Sequence, residues 1–126
     1  DLGWPRARGY SQGVAAQGRV VRVSGQFGKA PEEAAVPSDS DFGVQWEQAL
    51  RNVVSVVNAA GGDVTDIVLL RAYLTNIKDF SAFGAQVGAG WGATLGKHFP
   101  AMTIVQIGAL LDPNALLEIE AEAVLP

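Results

Sequence analysis

Three glutamates near the end of the sequence, Glu118, Glu120 and Glu122, alternate with apolar residues. A two-residue period places all three carboxylates on one face of a β-strand. A carboxyl group that is buried beside another has a raised pKa and can serve as an acid or a base. The alternative is that these glutamates form salt bridges with Arg22 and Arg71 at a subunit interface. For any one of the three, the pattern favours the interface over catalysis.

The single histidine, His98, stands just before Phe99 and Pro100, where a helix is predicted to end. A cationic imidazole is stabilised by the partial negative charge of a helix C-terminus, and this favours a capping role over catalysis. The chain has no cysteine, so it has no thiolate nucleophile and no disulfide, and one histidine excludes a multi-histidine metal site. Any Ser-His-Asp chemistry would have to use His98.

Tyr10 and the run Ser24, Gly25 and Gln26 lie in or beside a predicted first hairpin. Tyrosine offers a polar end on an apolar body, and glycine lets the backbone approach a ligand closely. Turn and edge positions in the hairpin explain the same residues equally well. The glycine-rich run GAGWG lies inside a helical pattern rather than after a strand, so it does not indicate a phosphate-binding loop.

Composition limits what kind of protein carries these residues. The 126 residues predict a single domain, 1–126, and 48% apolar against 17% charged residues predict a packed core. The net charge of −4, without a basic cluster, argues against a nucleic-acid partner. There is no apolar run of about 18 residues and no signal-peptide core near residue 1, so we expect a cytoplasmic protein without a membrane partner.

The elements that must position these residues alternate between strands and helices. A hairpin is predicted from residues 11–16 and 19–24, with its turn at Gln17-Gly18. A helix capped by Ser40 or Asp41 follows and ends at Gly61-Gly62, with one apolar face that is formed by Trp46, Leu50, Val53, Val57 and Ala60. Residues 66–75 are then typical of a strand.

A second helix is predicted from Asn76 or Asp79 to the Phe99-Pro100 stop, and a second hairpin follows from residues 102–110 and 115–125. Each interior glycine destabilises this helix by about 1 kcal/mol relative to alanine. Close contact between the helix and the sheet would explain why glycine occupies these positions. Two helices on one face of a mixed sheet give an α+β domain.

The strand patterns also predict which side chains face away from the helices. Alternation assigns to that face the charged residues Arg22, Arg71 and the three glutamates, together with four apolar residues, which are Ile67, Leu69, Met102 and Ile104. A solvated face seldom carries so many large apolar residues and a core does not carry the charges, whereas a subunit interface accommodates both kinds of residue. The alternative is an ordinary solvated face with scattered apolar residues.

Taken together, several segments resemble the Rid (YjgF) family. They cover nearly the whole chain in the family's order and read GYSQGV, VSGQFG, QWEQALRNVVSVVNAAGGDVTDIV, YLTNIKDF, HFPAMT and LEIEAEAV. The resemblance implies a chorismate-mutase-like fold and a homotrimer with its sheets facing inward. It also implies three clefts between subunits and hydrolysis of reactive enamines and imines without a metal or organic cofactor.

The resemblance also assigns residues to the cleft. The family's tyrosine corresponds to Tyr10, its SGQ segment to Ser24, Gly25 and Gln26, and its water-positioning glutamate to Glu118. The remaining cleft positions lie on the second helix and on the strand after it, and they are occupied by Gly84, Pro100, Met102, Thr103 and Ile104. Met102 stands where active members carry the arginine of a PAR[ST] motif, Gly84 where many carry an asparagine, and Ile104 where many carry a cysteine.

The arginine of that motif binds the substrate carboxylate through two parallel charged hydrogen bonds, and methionine offers none. We therefore predict a small-molecule cleft that is more apolar than usual, with deamination of 2-aminoacrylate-type substrates weak, lost or redirected. One alternative is an active deaminase whose imine or enamine substrate is uncharged or is anchored differently, for which Arg22 and Arg71 are candidates. In that version Glu118 positions water and backbone amides near Ile104 and Gln26 polarise the substrate. The ligand of the cleft would then be an imine, an enamine or a small organic acid. Another alternative is a non-catalytic regulatory binding protein, and nucleic-acid chemistry is least favoured.

Overall fold

The computed structural model describes residues 1–126 and contains one four-stranded sheet. Its strands are β1 (Arg19–Phe27), β2 (Ile67–Leu74), β3 (Ala101–Gln106) and β4 (Leu117–Leu125). The helices are α1 (Phe42–Ala59), α2 (Lys78–Ala82) and α3 (Gly84–Thr94), and a single 3₁₀ turn spans Val64–Asp66. No helix combines the length and apolar composition needed to cross a membrane.

Helix α1 forms as the sequence predicts. The Asp41 carboxylate accepts a hydrogen bond from the Val44 amide at 2.9 Å and so satisfies one free donor of the first turn. The apolar face of the helix is fully buried against β1 and β4, at Trp46, Leu50, Val53 and Val57. The chain leaves the helix through Gly61, which has a φ of +91°.

The strand order is β1-β4-β2-β3, and it corrects both predicted hairpins. β4 pairs antiparallel with β1 and β2, whereas β3 pairs parallel with β2 because α2 and α3 form the crossover between these two strands. β2 therefore lies between β3 and β4. Residues 12–18 form no strand, and Ser11 instead bridges to Ala101 and donates its amide to the Pro100 carbonyl at 3.0 Å.

β4 shows the predicted alternation most clearly. Its apolar residues are buried under the helices, and they are Leu117, Ile119, Ala121, Ala123 and Leu125. Glu118, Glu120 and Glu122 lie on the opposite face, which we call the glutamate face. The α+β class with both helical segments on one side of a mixed sheet is confirmed.

The predicted faces of β2 and β3 need correction. A bulge between Ile67 and Leu69 reverses the alternation of β2, so that Ile67 is fully buried on the helix side. Met102 and Ile104 pair with the buried Leu70 and Ala72, so they also lie on the helix side and pack against the core. Of the four apolar residues assigned to the glutamate face, Leu69 alone remains there.

The second predicted helix is divided and ends early. Phe83, with φ −102° and ψ 28°, separates α2 from α3, and Gly96, with a φ of +63°, ends α3 before Phe99. Gly90 is the one glycine of α3 that is in close contact, and its contacts are Trp46 and Glu47 of α1 rather than the sheet. The prediction that these glycines allow the helix to approach the sheet closely is therefore wrong.

Candidate functional site

The predicted SGQ segment meets Glu118 at an irregular place in β1. Pairing with β4 shifts register between Val23 and Gln26, so Ser24 and Gly25 occupy a bulge. A side chain at residue 25 would collide with the Glu118 carboxylate, and the absence of a Cβ is what lets the two groups touch. Bulges are common beside active sites because they redirect the backbone.

Gln26 follows the bulge and belongs to the other side of the sheet. It pairs with Ile119, and its side-chain amide donates a hydrogen bond to the Ser24 carbonyl at 3.0 Å. It lines a pocket of about 340 Å³ between the end of β1 and α1, together with Gly25, Lys29 and Asn52.

Glu118 is a carboxyl group whose surroundings disfavour its charged form. Its partial burial, and secondarily the neighbouring charge of Glu120, raise the pKa of Glu118 above its ordinary value. A carboxyl group with a raised pKa is better suited to exchanging a proton near neutral pH than an ordinary glutamate.

The polar residues near Glu118 on the glutamate face form a hydrogen bond and ion pairs with one another. The Tyr73 hydroxyl donates to Glu120 at 2.5 Å, and Arg71 lies 3.5 Å from the same carboxylate oxygen. The hydrogen bond to Glu120, followed by burial, raises the pKa of Tyr73. Further along β4, Arg22 lies 3.7 Å from Glu122. Both arginines thus pair with glutamates of their own chain, where an interface pairing was predicted.

A second group of predicted site residues lies at β3. Met102 and Ile104 are half-buried on the helix side, and Pro100, which precedes the strand, is buried. Gly84 is the first residue of α3, and a Cβ added there would have no atom within 4 Å. Thr103 is separated from this group because it pairs with Arg71 and is exposed on the glutamate face.

Tyr10 lies near the β3 group because the next residue, Ser11, is hydrogen-bonded to the segment that precedes β3. The Ser11 hydroxyl donates to the Phe99 carbonyl at 2.5 Å, which holds residues 10–11 beside the start of β3. Tyr10 itself is exposed, at 41%.

The predicted site residues thus form two clusters on opposite faces of one sheet. The glutamate-face cluster consists of Ser24, Gly25, Glu118, Glu120 and Thr103. The β3 cluster consists of Met102, Ile104, Pro100, Gly84 and Tyr10. A four-stranded sheet separates Glu118 from Met102, so no ligand bound to one chain can contact both side chains across it.

His98 has a different role from the predicted one. Its Nε2 is 2.7 Å from the Ile67 carbonyl at the start of β2, and its own carbonyl accepts a hydrogen bond from the Trp91 indole at 3.1 Å. The helix has already ended at Thr94, so the ring does not cap its carbonyls. His98 instead connects the end of the crossover to β2.

Two polar residues with positioning contacts were missed in the sequence, one on α1 beside the β1 bulge and one on β2. Asn52 is buried on α1 and donates to the Phe27 and Lys29 carbonyls at 3.2 and 2.8 Å, which fixes the end of β1 next to the bulge. Tyr73 orients Glu120. A polar residue at position 52 inside the apolar face of α1 was the available signal for Asn52.

No three histidine, aspartate or glutamate side chains are grouped so as to hold a metal ion. The polar groups that the chain brings together here are a carboxyl group with a raised pKa, a tyrosine hydroxyl and the backbone of a bulge.

Comparison with known proteins supplies the context for this arrangement. The sequence profile of the family described as endoribonuclease L-PSP matches residues 5–125. The 2-iminobutanoate/2-iminopropanoate deaminase of Escherichia coli strain K12 is 38% identical over 118 residues, which cover 91% of this chain and 86% of that protein.

Solved structures of similar proteins also superpose on this chain. YyfB of Yersinia pestis, a protein of unknown function in the conserved Rid family, superposes with a TM-score of 0.78 at 33% identity, covering 93% of this chain and 87% of that one. Escherichia coli TdcF with bound serine superposes with a TM-score of 0.73 at 30% identity, covering 96% and 91%.

Proposed function

Because the chain belongs to the Rid (YjgF) family, we propose that it is a homotrimer that binds a small molecule in clefts between subunits. We propose further that its hydrolysis of imines and enamines is redirected away from substrates bound by their carboxylate. The relatedness to the Escherichia coli deaminase supports the class of reaction. The residue at position 102 supports the change in substrate.

The observation that carries this proposal is the separation of the two clusters by the sheet. Met102 packs on the helix side, and Glu118 lies on the glutamate face of the same chain. A cleft that contains both residue types must take the Met102 side from one subunit and the Glu118 side from its neighbour. One chain thus supplies half of each of two clefts.

The glutamate face has the composition that a subunit contact requires. Val20 and Val105 are 54% and 39% exposed there, and the half-buried Leu69 pairs with Glu122. The Arg22–Glu122 and Arg71–Glu120 pairs neutralise most of the charge that association would bury. Apolar side chains beside paired charges are typical of subunit interfaces.

Glu118 would position the water that attacks the substrate. The carboxylate form takes a proton from the water as the water oxygen bonds to the imine carbon, and this proton passes on to the nitrogen. The carbinolamine so formed then loses its hydroxyl proton to the leaving nitrogen as the carbon–nitrogen bond breaks, which releases ammonia and a carbonyl product. Backbone amides near Gln26 and Ile104 would polarise the substrate. The contact of Glu118 with Gly25 places the carboxylate at the bulge where such amides are accessible.

Methionine at position 102 removes the carboxylate-binding group and leaves an apolar, polarizable side chain. Arg71 is the arginine nearest to Glu118 along the strand pairing, but its guanidinium already lies 3.5 Å from Glu120. A carboxylate substrate would have to compete with Glu120 for it. This favours a substrate without a carboxylate over one anchored by Arg71.

Sedimentation at micromolar concentration tests the assembly. We expect a species of about 40 kDa, three times the 13.2 kDa chain. Leu69→Glu would add a fourth carboxylate to the glutamate face. Because assembly would have to remove this unpaired charge from water, we expect the variant to dissociate into monomers. Val44→Glu, on the exposed side of α1, is the matched control and should remain trimeric. A wild-type monomer would contradict the proposal.

A further inference from the structure

A pocket of about 330 Å³ lies between α3 and β3 on the helix side of the sheet. Four aromatic side chains and two aliphatic ones line it, and the remaining lining residues are glycines, so the full set is Trp46, Phe80, Trp91, Phe99, Val87, Met102, Gly9, Gly88, Gly92 and Gly96. No charged side chain lines this space. Apart from Met102, these residues are not among those predicted for the cleft.

The polar atoms of the walls are already satisfied. The Trp46 indole donates to the Val87 carbonyl at 3.1 Å, and the Trp91 indole donates to the His98 carbonyl at 3.1 Å. These bonds hold both indoles in place without a ligand, and they leave no indole N–H free to bind one. A molecule in the pocket would therefore meet aromatic faces, a thioether and backbone, but no cation and no free side-chain donor.

The glycines of α3 keep the pocket open at a cost to the helix. A Cβ at Gly88 or Gly92 would have no atom within 4 Å, so packing does not require glycine there. Alanine at each position would stabilise the helix by up to about 1 kcal/mol. At Gly90, by contrast, a Cβ would lie only 3.1 Å from the Glu47 Cβ and 3.2 Å from the Trp46 Cδ1, so there the close packing of α3 against α1 favours glycine.

From the pocket and its walls we propose that each subunit binds a neutral aromatic molecule, about as large as indole, between α3 and β3. An apolar cavity of about 150 Å³ already holds benzene, and 330 Å³ lies at the lower end of the range of small-molecule sites. Aromatic walls pair favourably with an aromatic ring. The absence of a charged partner disfavours a carboxylate, because burying an unpaired charge is costly. Met102 lines both this pocket and the proposed cleft, so the two sites adjoin, but binding inside one subunit requires neither assembly nor turnover and therefore goes beyond the proposed function.

The single methionine provides a direct probe. Protein labelled with [¹³C-methyl]methionine has its Met102 signal at the pocket wall, and we expect indole to shift this signal saturably with a Kd of ~0.1–1 mM. Gly92→Leu should fill the pocket and weaken indole binding at least tenfold without lowering Tm. Ala93→Leu places the same side chain at a neighbouring exposed position of α3 that does not line the pocket, and this variant should bind indole normally. Benzoate should bind at least tenfold more weakly than indole.

Several results would overturn the proposal. One is the absence of a Met102 shift with indole, and another is an indole affinity that Gly92→Leu leaves unchanged. If Gly92→Leu unfolds, Gly92→Ala serves instead and should weaken binding to a smaller extent. A Met102 shift that follows dissociation of the oligomer, rather than addition of indole, would assign the pocket to a neighbouring subunit. Because imine hydrolysis is not measured, these outcomes are independent of the proposed reaction.

Discussion

Met102→Arg is expected to increase turnover of 2-iminopropanoate, measured as kcat/KM for ammonia release, by roughly thirty-fold to several-thousand-fold. An arginine would give the substrate carboxylate two parallel charged hydrogen bonds where methionine gives none. A charge-assisted contact of this kind in a desolvated site contributes about 2–5 kcal/mol, and about 1.4 kcal/mol corresponds to a tenfold change in rate. Neutral imines should gain nothing from the substitution.

Two control variants separate the bidentate bond from simpler effects. Met102→Leu keeps an apolar side chain of similar volume and should leave the rate unchanged. Met102→Lys adds a point charge without the paired donors of a guanidinium and should gain less than arginine. No gain with arginine, in a variant that is still trimeric and folded, would show that position 102 does not decide how the carboxylate is bound.

Glu118→Gln is expected to lower turnover by about 100-fold or more, because a positioned general base contributes about 10²–10⁴-fold. The Met102→Arg background, with 2-iminopropanoate as substrate, gives the largest rate from which to measure the loss. The carboxylate form positions water, so turnover should fall as pH decreases through the raised pKa of Glu118, and this dependence should vanish in Glu118→Gln. Glu47→Gln, in an exposed ion pair on α1, should keep full activity.

The same substitution should stabilise the fold at neutral pH. Because the folded-state pKa of Glu118 is raised above its ordinary value of 4.5, the unfolded chain gives up this proton more readily than the folded one. Stability therefore declines as pH rises from about 4.5 through the folded pKa. Glu118→Gln lacks this decline, so its Tm should exceed that of the wild type at pH 7 and match it below pH 4. Equal Tm values at both pH values would mean that Glu118 is not destabilised by burial.

The parts of the fold that could be predicted are those with long, one-sided patterns. Eighteen residues of α1 carry a single apolar face and a capping aspartate, and nine residues of β4 alternate without interruption. In both elements the pattern itself determines which side is buried. The chorismate-mutase-like α+β fold that the family resemblance implies is confirmed by the superposition with YyfB.

The errors arise where a short pattern has no unique interpretation. The six residues of β3 include apolar side chains on both faces, so alternation separates Met102 from Val105 without showing which of them faces the helices. The pairing with β2 decides this, and the bulge after Ile67 changes the phase of β2 itself. Both depend on long-range pairing, which no local pattern contains.

The candidate site was predicted residue by residue, but its spatial arrangement was not. The contact between Gly25 and Glu118 exists because β1 and β4, nearly 100 residues apart in sequence, are paired with a bulge. The placement of Glu118 and Met102 on opposite faces likewise follows from pairing. The pocket beside α3 depends on the space between elements, and the glycine content of the helix was its one visible signal.

The most direct test of the proposed change in substrate is ammonia release from freshly generated 2-iminopropanoate by the wild-type protein, measured beside the Escherichia coli deaminase under the same conditions. We predict a kcat/KM at least thirty-fold lower for this chain, in a preparation that sediments as a trimer. A rate equal to that of the Escherichia coli enzyme would contradict the proposal, because a carboxylate substrate would then be bound well without an arginine at position 102.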